Sequence, residues 1–302
     1  MVELELTLLG VIVSLFYSLI LDGLERKIRA KIQSRKGPPI TQTLYDVIKL
    51  FRKELLIPST APSMFMFAPI VSFSMIIIAY LILPYGFPNP MGFYGDLILL
   101  VYLIVASTIL LLYGGSSSGN PYAEIGCSRE ISLLMANELI IALVIATIAI
   151  RYHALSLNTV LASLTISPSS ILIVLTLLLY IYIESARLPF DIGEAEPEIA
   201  SGYLIEYSGP LLGLTIYTHI LKRTLLYLFT SVVILGLVDN VIQLSDIISR
   251  FVTILLFVTL LSILYSIISN ICGRFRVRHA VNAVRAIIPL PVLALILSFL
   301  GL

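Results

Sequence analysis

Eight apolar runs, separated by charged or turn-rich connections, leave this chain one way to fold, as a bundle of membrane-spanning helices. They fall at Leu4 to Leu21, Met64 to Leu83, Leu97 to Tyr113, Ile131 to Ile150, Ile171 to Ile183, Leu211 to Val238, Phe251 to Ile271 and Arg285 to Leu302. A hydrocarbon core of ~30 Å needs about 20 apolar residues in a helix, and lipid offers no partner to open backbone. The sequence therefore predicts an all-α polytopic protein of about eight transmembrane helices in a single domain over residues 1–302. The fifth run is short and must borrow its end from Glu184 to Arg187. The sixth is interrupted by His219, Lys222 and Arg223, so its first half is expected to lie oblique or at the interface. The first residues carry acids and lack a basic leader or a small-residue cleavage site, so the first helix is expected to stay as a span.

Sidedness follows from the cations. Of the 19 Lys and Arg residues, all but Arg151 and Arg250 fall after spans one, three, five and seven. Positive loops stay inside, which predicts a plasma-membrane protein with both termini outside. A net charge of +1 excludes a general nucleic-acid face. Cys127 and Cys272 are far apart, and the histidines are His153, His219 and His279. That set supplies neither four thiolates for an iron–sulfur cluster nor paired histidines for a haem. No metal or redox cofactor is expected in this chain.

Between the fifth and sixth runs lies ESARLPFDIGEAEPEIASGYLIEYSGP, with Glu184, Asp191, Glu194, Glu196, Glu198, Glu206 and one cation, Arg187. Charged residues are only 12% of the chain, so this clustering needs a cause. Carboxylates crowded at a low-dielectric boundary hold and pass protons near neutral pH; a solvated acidic loop is the alternative. Glu130 opens the fourth run and Glu138 lies about two turns inside it. An intramembrane carboxylate is a functional candidate by default, and a structural pair with Arg129 or an asparagine is the other reading. Glu184 also stands at i+3 from Arg187, the spacing of a helical ion pair. His219 reads either as a proton relay or as a hydrogen-bonded bundle residue, and His153 as an interfacial loop residue. The first loop breaks at Gly37, Pro38 and Pro39, then resumes as an amphipathic surface segment over residues 42–57, suited to headgroups or to a docked partner. The basic turn after Cys272 is expected to meet headgroups and the acidic loop.

Three stretches resemble one family. LERKIRAKIQSRKGPP with YDVIKLFRKE, SSSGNPYAEIGCSREISLLMANE, and ESARLPFDIGEAEPEIASGYLIEYSG are similar, in order, to segments of complex I membrane subunit 1, the NADH:quinone oxidoreductase subunit that sits under the quinone site. GPPITQTLYD and SGNPYAEIG resemble the archaeal branch, which includes the corresponding membrane subunits of the membrane-bound nickel–iron hydrogenases and the membrane-bound sulfane reductases. The resemblance implies that Glu138 and Glu184 belong to a buried acidic path, with Asp191, Glu194, Glu196, Glu198 and Glu206 as its funnel and Arg187 balancing charge. Glu130 is added to that path from its position. Glu25, Arg26, Lys27, Arg35 and Lys36 would seat cytoplasmic subunits. The implied partners are the lipid bilayer, a hydrogenase-like large subunit with iron–sulfur subunits, and antiporter-like membrane subunits. A nickel–iron centre, iron–sulfur clusters or flavin would sit in those partners.

The function so implied is a non-catalytic membrane subunit that couples electron transfer to proton or sodium translocation. The alternatives are the quinone-site subunit of a quinone-reducing dehydrogenase, a passive membrane anchor, and a stand-alone transporter, for which no internal repeat is visible.

Overall fold

The computed structural model describes residues 2–194, 196–242 and 246–301, and the side chains of Val2, Glu196, Pro197 and of residues 240–242 fall outside that description. Among the described residues every regular element is helical: α1 (Val2–Ile32), α2 (Gln42–Phe51), α3 (Ser63–Ile82), α4 (Asp96–Ser116), α5 (Pro121–Tyr152), α6 (Leu157–Ser163), α7 (Pro168–Glu184), α8 (Glu196–Ile199), α9 (Gly209–Ile242), α10 (Ile247–Ile271), α11 (Val277–Ile287) and α12 (Pro289–Phe299), with a 3-10 turn at Gly202–Leu204. Seven helices, counting α11 with α12 as one, are long and apolar enough to cross a membrane, and α7 is a shorter apolar helix beside them.

Burial orders the bundle. In the most apolar stretch of α9, 83% of residues are buried, against 28% for α10 and 22% for α11 with α12. So α9 is the axis, packed by α1, α2, α3, α7 and α10, while α11 and α12 form a rim on α5 and α7. Along α10, Leu256, Leu260, Leu264, Ile267 and Ile271 point outward at spacings of three and four. That is the face a helix offers to lipid.

Helix ends inside such a bundle need built-in partners, since water is scarce. The Asn120 side chain accepts from Tyr122 N at 2.9 Å with Pro121 in the first turn of α5. Ser167 and Ser170 cap each other reciprocally at the start of α7, followed by Pro168. At the same end of the bundle as the start of α7, Asp96 Oδ1 accepts from Leu157 N at 2.6 Å, and Asn89 and Asn158 exchange two hydrogen bonds of 2.9 Å. The connection after α5 is thus a closure as expected, and it carries a short helix.

Tyrosines tie the helices together by donating to main-chain carbonyls across the bundle: Tyr80 Oη to Leu221 O (2.9 Å), Tyr17 to Leu255 (3.0 Å), Tyr217 to Leu15 (3.1 Å) and Tyr265 to Leu178 (2.9 Å). Where the hydrophobic effect between helices is weak, such bonds and close packing hold the bundle.

The structure departs from the sequence reading at four places. The sixth span is one continuous helix, because Lys222 and Arg223 find carboxylates inside the bundle and need no excursion to water. The amphipathic helix stops at Phe51 and not at residue 57. Its continuation is held against the acidic loop, with Leu56 N donating to Ser208 Oγ (2.9 Å) and Ser208 Oγ donating to Leu56 O (2.7 Å). The fifth span ends at Glu184, where Ser185 caps it, and borrows nothing further. Finally, the basic turn after Cys272 is only five residues long, since α11 begins at Val277 and joins α12 across Ile288.

Removing one cross-bundle hydroxyl tests this account of cohesion. Tyr80→Phe is expected to lower stability by about 1 kcal/mol, read as an earlier midpoint in detergent unfolding, with the helix content of the folded state unchanged.

Candidate functional site

The site begins with two helices that overrun the membrane. At 31 and 32 residues, α1 and α5 reach roughly 46–48 Å at 1.5 Å per residue, well past a ~30 Å core. Their charged ends, with Asp22 and Glu25 on α1 and Arg129 and Glu130 on α5, stand beside the acidic loop. By contrast α7 has 17 residues, roughly 26 Å, so the loop starts inside the bundle. Ser185, Arg187 and Phe190 are accordingly buried.

Glycines let the loop pack this closely. Gly202 has φ +57, and a Cβ there would sit 2.0 Å from Gly193 O; a Cβ on Gly126 of α5 would meet Gly202 Cα at 2.8 Å. Only a residue without a side chain fits either position.

Three linked clusters result. Deepest is a buried ion pair: Lys222 Nζ of α9 lies 2.6 Å from Glu184 Oε1 and donates to Thr108 Oγ1 of α4 at 2.7 Å. Asn137 Nδ2 of α5 donates to the second oxygen, Glu184 Oε2, at 2.8 Å. Glu138 follows on α5 beside the buried Tyr180 hydroxyl and within electrostatic reach of Glu184. Its Oε1 is buried without a hydrogen-bond partner, as is Asn137 Oδ1.

Nearer the loop, Tyr203 Oη donates to Glu194 Oε1 at 2.7 Å and stands 2.9 Å from His219 Nε2. Burial, with Glu194 beside it, keeps the Tyr203 phenol well above its ordinary value. Tyr203 therefore spends its one proton on Glu194, and His219 Nε2 is assigned as donor to the phenol oxygen. Asp191 meets Arg274 at 2.8 Å, and Phe275 N donates to Pro189 O at 3.0 Å, so the basic turn does meet the acidic loop. Burial raises the Asp191 carboxyl, and the Arg274 guanidinium opposes that.

The third cluster joins α1 to the loop. Arg187 pairs with Glu25 and stacks 5.8 Å over Tyr227, and Arg223 lies 3.4 Å from both Asp22 and Glu25. A cavity of about 50 Å³ lined by Glu130, Glu184, Asp191, Glu194, His219 and Lys222 connects the first two clusters. That is room for a few waters among polar partners.

The structure thus brings Glu130, Glu138, Glu184, Asp191 and Glu194 together and leaves others aside. Glu198, 56% exposed at its side chain, pairs with Arg129 at 2.7 Å. Glu206 accepts from Asn120 Nδ2 at 2.5 Å, away from the cavity. The side chain of Glu196 lies outside the described residues. Arg187 answers Glu25 and not Glu184. Glu25 is a correction to the docking set: at 4% exposure and paired inward, it is closed to a docked subunit. Arg26 clasps α1 to α2 through Asp22 and Asp46, both at 2.9 Å, while Lys27, Arg35 and Lys36 are exposed.

Sequence reasoning missed Lys222, Arg223, Tyr203, Asn137 and Thr108. Adjacent cations in the middle of an apolar helix were the available signal for the first two. Among the described residues no group of three His, Cys, Asp or Glu side chains could hold a metal ion.

The family model described as NADH dehydrogenase matches residues 4–299. The chain belongs to that family. Within it, the chain is 33% identical over 279 residues to Hydrogenase-4 component C of Escherichia coli strain K12, covering 90% of this chain and 89% of that one. A subunit of the NADH-quinone oxidoreductase of Syntrophotalea carbinolica is 32% identical over 248 residues, 76% of this chain and 74% of that one. Formate hydrogenlyase subunit 4 of Escherichia coli is 31% identical over 224 residues, 71% of this chain and 72% of that one. The fold matches a chain in the structure of the membrane-bound sulfane sulfur reductase, an archaeal respiratory membrane complex, with a TM-score of 0.84 and 24% identity over 99% of this chain and all of that one. Members of the NADH dehydrogenase family thus include membrane subunits of complex I-like and hydrogenase complexes, and this chain has their polytopic helical architecture.

Two measurements probe the site. Lys222→Met strands a buried carboxylate and is expected to cost about 3 kcal/mol, most of it recovered in Lys222→Met/Glu184→Gln, by detergent unfolding of the single and double variants. Arg274→Gln removes the cation that opposes burial at Asp191, so the Asp191 carbonyl stretch in infrared spectra is expected to persist to higher pH than in the parent.

Proposed function

We propose that this chain is the membrane subunit that couples electron transfer in a docked cytoplasmic arm to ion movement in neighbouring membrane subunits. The path runs from Asp191 and Glu194 at the loop, through the cavity with Glu130 and His219, to Glu184 and on to Glu138. One observation carries it: Glu184 is held at once by Lys222 and Asn137 and opens on the cavity, while the next carboxylate, Glu138, keeps an oxygen with no partner. A carboxylate with an unspent acceptor beside a paired one is a place for a proton or cation to arrive.

The basic loops favour this end of the bundle as the cytoplasmic side, with both termini outside. The exposed Lys27, Arg35 and Lys36 would seat hydrogenase-like and iron–sulfur subunits there. Nickel–iron, iron–sulfur or flavin chemistry would belong to those subunits, and antiporter-like subunits would continue the path in the membrane.

In the working cycle, redox turnover above the loop changes the charge around Glu194 and Asp191, and protons redistribute along the carboxylates. Moving one charge against 100 mV takes ~2.3 kcal/mol, comparable with changing a carboxyl's proton affinity about 50-fold. Reorganising one ion pair suffices for that.

In vesicles carrying the assembled complex, Glu184→Gln and Glu138→Gln are expected to keep redox turnover and lose ion uptake. Glu198→Gln, at the exposed pair with Arg129, keeps both. Full uptake in the first two variants means the chain is a passive anchor.

A further inference from the structure

The outward face of α11 is polar where the bundle would otherwise meet lipid. Arg278, Asn282 and Arg285 follow one another at spacings of four and three and are all exposed, with His279 flanking them; Ala280 and Val284 are buried on the opposite side. Neither Arg278 nor Arg285 makes an ion pair among the described residues, and neither has a side-chain hydrogen bond there.

The depth of this stripe follows from the packing. A cleft lined by Arg129, Glu198, Arg276 and Val277 sets the start of α11 level with Arg129, just before the apolar part of α5 begins at Ile131. From that end α11 packs along α5 and continues as α12. Arg285 lies eight residues past Val277, roughly 12 Å further in at 1.5 Å per residue. Together α11 and α12 form the membrane-crossing stretch Val277–Phe299, which contains Arg285. Arginine and asparagine facing lipid at that depth are expensive, so a polar partner must cover them.

We infer that the Arg278, Asn282 and Arg285 face of α11 is the lateral docking surface for a transmembrane helix of another subunit that carries carboxylates. Charge chooses this occupant. Two guanidiniums one behind the other call for acids at matching helical spacing, and Asn282 between them bonds either a carboxylate or an amide. A headgroup phosphate fits the rim cations Arg276 and Arg278 but stands too far out for Arg285. The inference is independent of whether ions move along the acidic path: it concerns assembly, and its readout is assembly.

The test uses the whole complex. A photo-crosslinking amino acid at position 286, beside the stripe and exposed, is expected to join this chain to an apolar peptide of a membrane subunit containing Asp or Glu. Arg285→Glu is expected to lose that subunit from the purified complex, and an acid-to-lysine change in the mapped helix to restore it. The unfolding midpoint of the separately purified Arg285→Glu chain is expected to match the parent, because the side chain makes no polar contact among the described residues. Crosslinks to lipid alone, to a water-soluble subunit, or to a helix without carboxylates would overturn the inference. So would an Arg285→Glu complex that keeps every membrane subunit.

Discussion

A cation halfway along an apolar helix is tolerated only where a carboxylate comes to meet it, and that requirement governs how this bundle closes. Lys222 and Arg223 are neighbours on α9 and turn to different sides. Lys222 draws in the end of α7 through Glu184 and α4 through Thr108, and Arg223 draws in α1 through Asp22 and Glu25. Arg187 then fastens the acidic loop to the same Glu25. Loss of Lys222 would leave Glu184 without its cation in a low-dielectric interior, where removing one member of a pair is far worse than removing both, whereas Glu25 and Asp22 each keep a second cation.

Once those pairs are made, acid is left over. Glu130 and Glu138 have no cation of their own among the described residues, and Glu194 leans on Tyr203 and on His219, 3.8 Å away. These surplus carboxylates line or adjoin a cavity of about 50 Å³. The chain's membership in the NADH dehydrogenase family goes with a fold that is kept in a solved relative at 24% identity.

Much of this was legible in the sequence wherever the membrane dictates the answer. The spans read directly because hydrocarbon tolerates few alternatives, and Glu138 and Glu184 stood out because acids are rare at that depth. What failed to show was pairing across distant segments. Glu184 looked matched to Arg187 at helical spacing, yet the helix ends at Glu184 and the arginine turns towards α1. Glu25 entered the docking set with its neighbours Arg26 and Lys27 through the resemblance of their stretch to the family, and only the facing of α1 sends it inward. Lys222 and Arg223 read as a break in a span because their counter-charges lie on other helices. The polar ends of α5 and α11 lay beyond the apolar runs, where hydropathy carries no length information.

The stitch between the first loop and the acidic loop has a mechanical side. Ser208 both accepts from and donates to Leu56, and Gly209 approaches so closely that a Cβ would fall 2.3 Å from Glu54 O. The Ser208 hydroxyl thus bridges to both main-chain groups of Leu56 beside a close main-chain approach, fastening residues 54–56 to 208–209. The connection leaving α2 and the end of the acidic loop therefore meet in one joined patch, with α2 itself seated on α9.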